Sequence, residues 1–172
     1  MKLYRSRVPQ IARAVIGRLI QDGDIEVEPE GREEAERDVI AIFEEFLRRD
    51  DDLRETVRDV MARNQIPYDQ YGKIRSQVAE GRGHAVAEDV DRYLARQIVE
   101  NCMVSRHISE VFADDKDLYK KVIDTLRAND VDERALRTEA EGMIKNIAEG
   151  SVNYQDALQR ALRDVRKRHG LY

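Results

Sequence analysis

The sequence predicts an all-α fold of about eight helices, arranged as two similar four-helix halves. Apolar residues recur at helical spacing in eight segments. The composition, with 38% charged residues, 6% aromatic residues and no Trp, favours helices with hydrated faces over sheets. The third observation is an internal repeat, because residues 11–61 align without a gap on residues 94–144, at a constant offset of 83.

The repeat matches apolar positions to apolar positions, and seven of the aligned pairs are identical, including Ile25 with Ile108. Self-similarity at a fixed offset indicates duplication, although amphipathic helices also align through their shared 3.6-residue rhythm. We therefore predict an internal duplication, with an N-terminal helical half over residues 1–80 and a C-terminal helical half over residues 84–172. Gly81 to Gly83 form the linker between them.

The first two helices of the N-terminal half are separated by an acidic connector. The apolar pattern predicts helices from about residue 8 to 21 and from about 31 to 49. Between them, Ile25 to Glu28 alternate like a strand, but the segment is short and ends in Pro29. We therefore expect an extended connector there.

Three consecutive aspartates, Asp50 to Asp52, are expected to end the second helix and cap the third. The third helix would bury apolar residues between Leu53 and Met61, and a short fourth would end before Gly81.

Four helices are likewise predicted in the C-terminal half. A long helix runs from about Ala85 to Val104, and the sixth carries Leu118, Val122 and Leu126. The expected buried residues of the last two helices are Leu136, Ala140, Met143, Ile144 and Ile147, followed by Tyr154, Leu158, Ala161, Leu162 and Val165.

The single cysteine, Cys102, has no partner for an internal disulfide and lies opposite Leu19 in the repeat, so we expect a buried thiol. The apolar run from Ile11 to Ile20 is interrupted by Arg13 and Arg18, which fits neither a signal peptide nor a membrane span. We therefore expect a cytoplasmic protein.

The run from Asn146 to Tyr154, followed by Leu158 and Gly170-Leu171, resembles a signature of the bacterial family known as domain of unknown function 507. The opening Met1-Lys2-Leu3 is similar to the start of that family. Family members usually carry Trp where this chain has Tyr154. The resemblance implies a helical, often duplicated architecture, and it assigns no catalytic or binding residue.

Catalysis or metal binding usually needs convergent His, Cys or carboxylate groups, and the three histidines fall in different segments. His84 lies in the predicted linker and His169 at the C-terminus, so neither is expected to be held in place. His107 lies close to Glu110 and Asp114, but the spacing matches no standard ligand pattern. We predict no cofactor, no metal site and no enzymatic activity, and a metal-dependent enzyme near His107 is the least favoured hypothesis.

Both ends of the chain are basic, although the net charge of the whole is −5. The candidate basic surface consists of Arg5, Arg7, Arg13, Arg18, Arg160, Arg163 and Lys167. Such a surface suits nucleic acid or anionic lipid, but an acidic chain also offers internal partners. We predict that Arg160, Arg163 and Lys167 pair with the acid-rich stretch from Asp22 to Asp59.

These observations favour a non-enzymatic helical module or scaffold that presents helix faces to another protein, or to a second copy of itself. The alternative is a nucleic-acid or ribosome-associated factor that uses the basic N- and C-terminal helices.

Overall fold

A computed structural model describes residues 1–145 and 152–172, without the side chain of Val152. Helix accounts for 76% of the structure and strand for 2%, so the all-α prediction is confirmed. In the described residues the helices are α1 (Val8–Gln21), α2 (Arg32–Arg63), α3 (Tyr71–Gly81), α4 (Val90–Val104), α5 (Asp115–Ala128), α6 (Glu133–Met143) and α7 (Val152–Arg168). The strands are β1 (Ile25–Glu26) and β2 (Glu110–Val111).

The prediction of about eight helices is wrong for the described chain, because the expected second and third helices form the single 32-residue helix α2. The aspartates at its middle do not end it, since arginines one turn away neutralise them. Arg54 Nη2 lies 2.7 Å from Asp50 Oδ2, and Arg48 Nη1 lies 2.9 Å from Asp52 Oδ2. Ion pairs at i,i+4 spacing support a helix rather than interrupt it.

The segment predicted as an extended connector contains a short strand. β1 pairs antiparallel with β2, with Ile25 opposite Val111 and Glu26 opposite Glu110. The partner strand comes from the other half of the chain, so local alternation alone did not reveal it. A two-stranded ladder of this length is stabilised by the helices beneath it.

The central core lies among α1, the first half of α2, α4 and α5. Its largest fully buried side chains include Ile16, Phe43, Leu94 and Leu118. Residues of both predicted halves therefore share one core, and the division at residues 80–84 remains a prediction about the sequence.

Two outer hairpins extend from this core. The second half of α2 packs on α3 around Leu53 and Val57, which we call the α2–α3 hairpin. α6 packs on α7 around Leu136, Leu158 and Val165, together with Tyr4 and Leu171 near the chain ends, and we call this the α6–α7 hairpin.

Element positions repeat at the predicted offset. α1 moved by 83 residues falls on residues 91–104, the span of α4 less its first residue, and α2 and α5 begin at residues 32 and 115. α1 contacts α2 and α5, and α4 contacts α5 and α2. The units differ at residues 129–132, where a loop separates α5 from α6 while α2 runs on. The duplication itself remains a prediction, which superposition of residues 11–61 on 94–144 tests.

Three helices end in the same backbone motif, in which a glycine with positive φ lets the chain turn back over the last turn. These glycines are Gly23 (φ 72°), Gly83 (φ 59°) and Gly170 (φ 65°). In each motif the next residue donates its N–H to a carbonyl five residues earlier, and its side chain is buried. These three buried residues are Asp24, His84 and Leu171.

Most predicted core residues of the last two helices are buried, but Met143 is 51% exposed. It is the last residue of α6, and its sulfur lies 2.9 Å from the exposed Arg168 guanidinium. The prediction that Met143 is buried is therefore wrong, because helical periodicity does not determine burial at the last residue of a helix. Ile147 falls outside the described residues.

No helix among residues 1–145 and 152–172 combines the length and apolar character needed to cross a bilayer.

The buried carboxylate of Asp50 gives the first prediction. Asp50→Ala leaves Arg75 without its counter-charge in a largely buried setting, so we expect the free energy of unfolding to fall by about 3 kcal/mol. Asp51→Ala is the matched control, because that neighbour is exposed and its pairs are worth roughly 1 kcal/mol or less. Urea unfolding followed by circular dichroism measures both, and equal losses would contradict the role given to Asp50.

Candidate functional site

The N-terminal arginines of the predicted basic surface are largely neutralised. Three of them pair with acids of the stretch Asp22 to Asp59. These pairs are Arg5 with Asp51 at 2.8 Å, Arg13 with Glu36 at 3.7 Å and Arg18 with Asp22 at 2.7 Å. Arg7 is half-buried, and its Nε has no hydrogen-bond partner. Three of the four N-terminal arginines are therefore engaged within the chain.

The predicted pairing of the α7 cations with the stretch Asp22 to Asp59 is not observed. Arg160, Arg163 and Lys167 are exposed on α7, and none lies within 4.0 Å of a carboxylate in the described chain. The cations of α7 that do pair are ones outside the predicted set. Arg166 lies 2.7 Å from Glu133, and Arg168 lies 3.1 Å from Glu139.

The segment around His107 does not bring metal ligands together. Across the described ranges, no group of three or more His, Cys, Asp or Glu side chains is placed to hold a metal ion. Cys102 is buried as expected, and burial raises the pKa of its thiol to about 11. A thiol with so high a pKa is a poor nucleophile at neutral pH.

Asp50 is the centre of a polar cluster that the sequence did not predict. Its carboxylate accepts a hydrogen bond from Arg75 Nη2 at 2.6 Å and pairs with Arg54 at 2.7 Å. His84 Nε2 lies 3.4 Å from Asp50 Oδ1. This cluster, Asp50 with Arg54, Arg75 and His84, joins the middle of α2 to α3 and to the segment after it.

His84 is held in place, which corrects the expectation that it lies free in a linker. Its side chain is only 2% exposed, and the ring stacks on Phe46 with centroids 4.8 Å apart. The glycine turn at Gly83 explains this position, because His84 N–H donates to the carbonyl of Ala79 and folds the chain back under α3. The signal in the sequence was Gly83, because the residue after a helix-ending glycine often packs back against the helix.

Burial lowers the pKa of His84 below its ordinary value, because the apolar surroundings disfavour the charged imidazolium. The carboxylate of Asp50 acts in the opposite direction, and the nearby guanidinium groups of Arg49 and Arg75 add to the lowering. Neither ring nitrogen makes a hydrogen bond to a described residue, although Asp50 Oδ1 lies 3.4 Å from Nε2. The imidazole is therefore a buried group whose charged form is disfavoured by its surroundings.

Glu133 occupies the position 83 residues after Asp50 and has a similar role in the α6–α7 hairpin. Its carboxylate accepts hydrogen bonds from the Tyr4 hydroxyl and from Arg166 Nη2, the latter at 2.7 Å, and Lys2 Nζ lies 3.5 Å away. Burial works to raise the pKa of Glu133, but these donors outweigh it and the net shift is downward. Each outer hairpin is therefore fastened by one carboxylate.

A cleft of about 270 Å³ lies beside Asp50, with both cations and apolar side chains in its wall. Its lining residues include Lys2, Phe46, Leu47, Asp50, Arg54 and Arg75. Burial and the nearby Arg166 lower the pKa of Lys2, while Glu133 opposes the shift. The cations of this cleft are already engaged with Asp50 and Glu133.

A second feature is a groove of about 310 Å³ between α2 and α4, which we call the α2–α4 groove. Its apolar side chains are Ala41, Ile42, Phe46 and Tyr93, and its polar ones are Asp38, Glu45, Gln97 and Asn101. Val104 follows Gln97 by two helical turns on the same face of α4, and it is 77% exposed. The groove therefore combines an apolar floor with an acidic edge on α2, in which Asp38 accepts a hydrogen bond from Ser105 and Glu45 pairs with Arg48 at 2.8 Å.

Fold and site together define an all-α protein with a shared central core and two carboxylate-fastened hairpins. The family model for the protein of unknown function DUF507 matches residues 1–171. The chain belongs to this family, as its resemblance indicated. No curated protein matches the chain. The Asn146 to Ser151 part of the signature that carried the resemblance lies outside the described residues.

His84 gives the second prediction. A histidine whose pKa is lowered by folding takes up protons more readily in the unfolded chain, so folding stability falls as the pH drops below about 6.5. Leucine does not titrate, so this contribution to the pH dependence should vanish in His84→Leu. Leucine also suits a buried position after a helix-ending glycine, because Leu171 occupies that position after Gly170.

Urea unfolding of both proteins from about pH 7.5 to pH 5.5 tests this expectation, because most carboxylates remain ionised over that range. Wild type should lose more stability than the variant on acidification. Equal losses would show that His84 titrates alike in the folded and unfolded chain.

Proposed function

We propose that the protein is a non-enzymatic interaction module, which binds an amphipathic helix of another protein in the α2–α4 groove. Helices that bind in grooves insert apolar side chains at i, i+3, i+4 and i+7 spacing. The apolar floor and the length of α2 and α4 suit this mode, and the acidic edge favours a helix flanked by Lys or Arg. A cytoplasmic location is part of the same proposal.

The observation that carries this proposal is a difference between the two helical units. At the offset of 83, Ile42 corresponds to Thr125 of α5 and Phe46 corresponds to Asn129, the residue after that helix. Tyr93, moved back by the same offset, corresponds to Gln10 of α1. The equivalent surface between α1 and α5 is therefore polar, so the shared helical arrangement does not require an apolar groove.

The exposed end of α4 supports the same conclusion. Val104 corresponds to Gln21 at the end of α1, and Met103, which is 46% exposed, corresponds to Ile20. An exposed apolar side chain next to a partly apolar groove enlarges the surface that a partner covers. This exposed end belongs to α4, which is one of the two helices that form the groove.

The third prediction uses a synthetic amphipathic helix with Leu anchors and Lys flanks as the probe, and the same peptide with Glu flanks as its charge control. We expect the Lys peptide to bind saturably by fluorescence anisotropy. Ile42→Lys should weaken that binding by about tenfold or more, because it removes an apolar contact and repels the peptide.

Thr125→Lys is the matched variant, since it makes the same change of charge at the corresponding half-buried position. It should change the affinity by less than about twofold. Equal weakening by both variants, or equal binding of the Glu peptide, would contradict the proposal. Sedimentation of the chain alone adds a further arm, because a dimer broken by Ile42→Lys would identify a second copy as the occupant instead.

The second candidate function is nucleic-acid or ribosome association through α7. The observation that favours it is the exposed set Arg160, Arg163 and Lys167, which makes no ion pair with the described carboxylates. Against it stand the net charge of −5 and the aspartates Asp156 and Asp164 on the same helix. A dedicated nucleic-acid surface usually carries a stronger excess of positive charge.

The fourth prediction separates the two candidates. We expect wild type to show negligible retention of RNA or DNA at physiological salt, and R160E/R163E/K167E to leave both retention and thermal stability nearly unchanged. Filter binding over a salt series measures retention. Binding that falls steeply with salt and is abolished by the triple change would establish α7 as a nucleic-acid surface.

A further inference from the structure

A small cavity of about 170 Å³ lies on the α2–α3 hairpin, on the His84 side of the Asp50 cluster. Its wall consists of Arg49, Asp52, Leu53, Arg82 and His84. The cavity is separate from the α2–α4 groove, and of the residues that line it none lines that groove.

The cavity carries an excess of positive charge. Asp52 is already paired with Arg48 at 2.9 Å. Arg49 donates a hydrogen bond to the Tyr93 hydroxyl at 3.1 Å, and neither Arg49 nor Arg82 pairs with a carboxylate in the described ranges. Two guanidinium groups without a carboxylate partner in the described chain, and one carboxylate that is paired with Arg48, therefore border this cavity.

The second observation is the unsatisfied imidazole of His84. Its side chain is 2% exposed, and neither ring nitrogen makes a hydrogen bond to a described residue, although Asp50 Oδ1 lies 3.4 Å from Nε2. A buried polar group without a hydrogen bond destabilises the folded state. The other two residues that follow a helix-ending glycine avoid this cost, since Leu171 is apolar and Asp24 pairs with Lys121 at 2.6 Å. Stacking on Phe46 accounts for the burial of the His84 ring but leaves its nitrogens without a hydrogen bond from the described chain.

We propose that this cavity binds a small oxyanion of the phosphate class, either free or as a phosphomonoester. Guanidinium groups match the oxygen geometry of phosphate and keep their charge at all physiological pH values. On binding, His84 takes up a proton, donates from Nε2 to Asp50 and adds its positive charge to those of Arg49 and Arg82. Arg75 stays paired with Asp50 at 2.6 Å.

Sulfate is the first probe, because it remains a dianion across the pH range in which histidine titrates. We expect saturable binding by isothermal titration calorimetry, tighter at about pH 6 than at about pH 8 because binding is coupled to proton uptake at His84. Arg82→Gln should weaken binding by about tenfold. Arg58→Gln is the control, since Arg58 is also an exposed arginine of this hairpin, without an ion pair to a described carboxylate, and it does not line the cavity.

His84→Leu tests the role of the imidazole. The variant should bind sulfate more weakly at about pH 6 and show the same affinity at both pH values. Phosphoserine and inorganic phosphate then distinguish the two sources, since tighter binding of phosphoserine identifies a phosphomonoester and tighter binding of inorganic phosphate identifies the free ion.

Three results would overturn the proposal. These are no saturable binding in the millimolar range, an equal loss in Arg82→Gln and Arg58→Gln, and a wild-type sulfate affinity that does not depend on pH. None of them bears on the α2–α4 groove, which has its own probe and its own variants.

Discussion

The paired, buried carboxylate of Asp50 is the constraint on which the N-terminal half depends. It lies in the middle of a 32-residue helix, where an unpaired aspartate would interrupt the apolar face. Arg54 and Arg75 neutralise it, so α2 continues past the core and carries α3 with it. A buried charge is tolerated only when its partners are fixed, which also fixes the position of the hairpin.

The same arrangement at Glu133 explains how the chain ends are brought together. Glu133 binds Tyr4 and Arg166, and Leu171 closes the cluster between α6 and α7. The N-terminal segment is therefore part of the C-terminal hairpin, although more than a hundred residues separate them. The offset of 83 relates the two carboxylates, while the groups around them differ. This difference is the basis of the two proposed sites, because the apolar groove and His84 have no counterpart at the offset of 83.

The sequence alone determined the helical class, the end points of α1 and most of the apolar positions that the helices bury. These follow from spacing, because a helix with one apolar stripe has only one face to bury. It also identified the family. It did not determine the fusion of α2, since a run of three aspartates ends a helix in isolation. The arginines that cancel this tendency include Arg75, whose contact with Asp50 spans 25 residues.

The candidate sites were decided by the tertiary structure. His84 looked like a linker residue because it follows Gly81 and Gly83 closely, and only the turn at Gly83 together with the ring of Phe46 places it in a buried cluster. The α2–α4 groove depends on two helices that are distant in the sequence. The basic ends were visible in the sequence. The neutralisation of each cation depends on its distance from a carboxylate in another element, and a count of charges along the sequence does not give these distances.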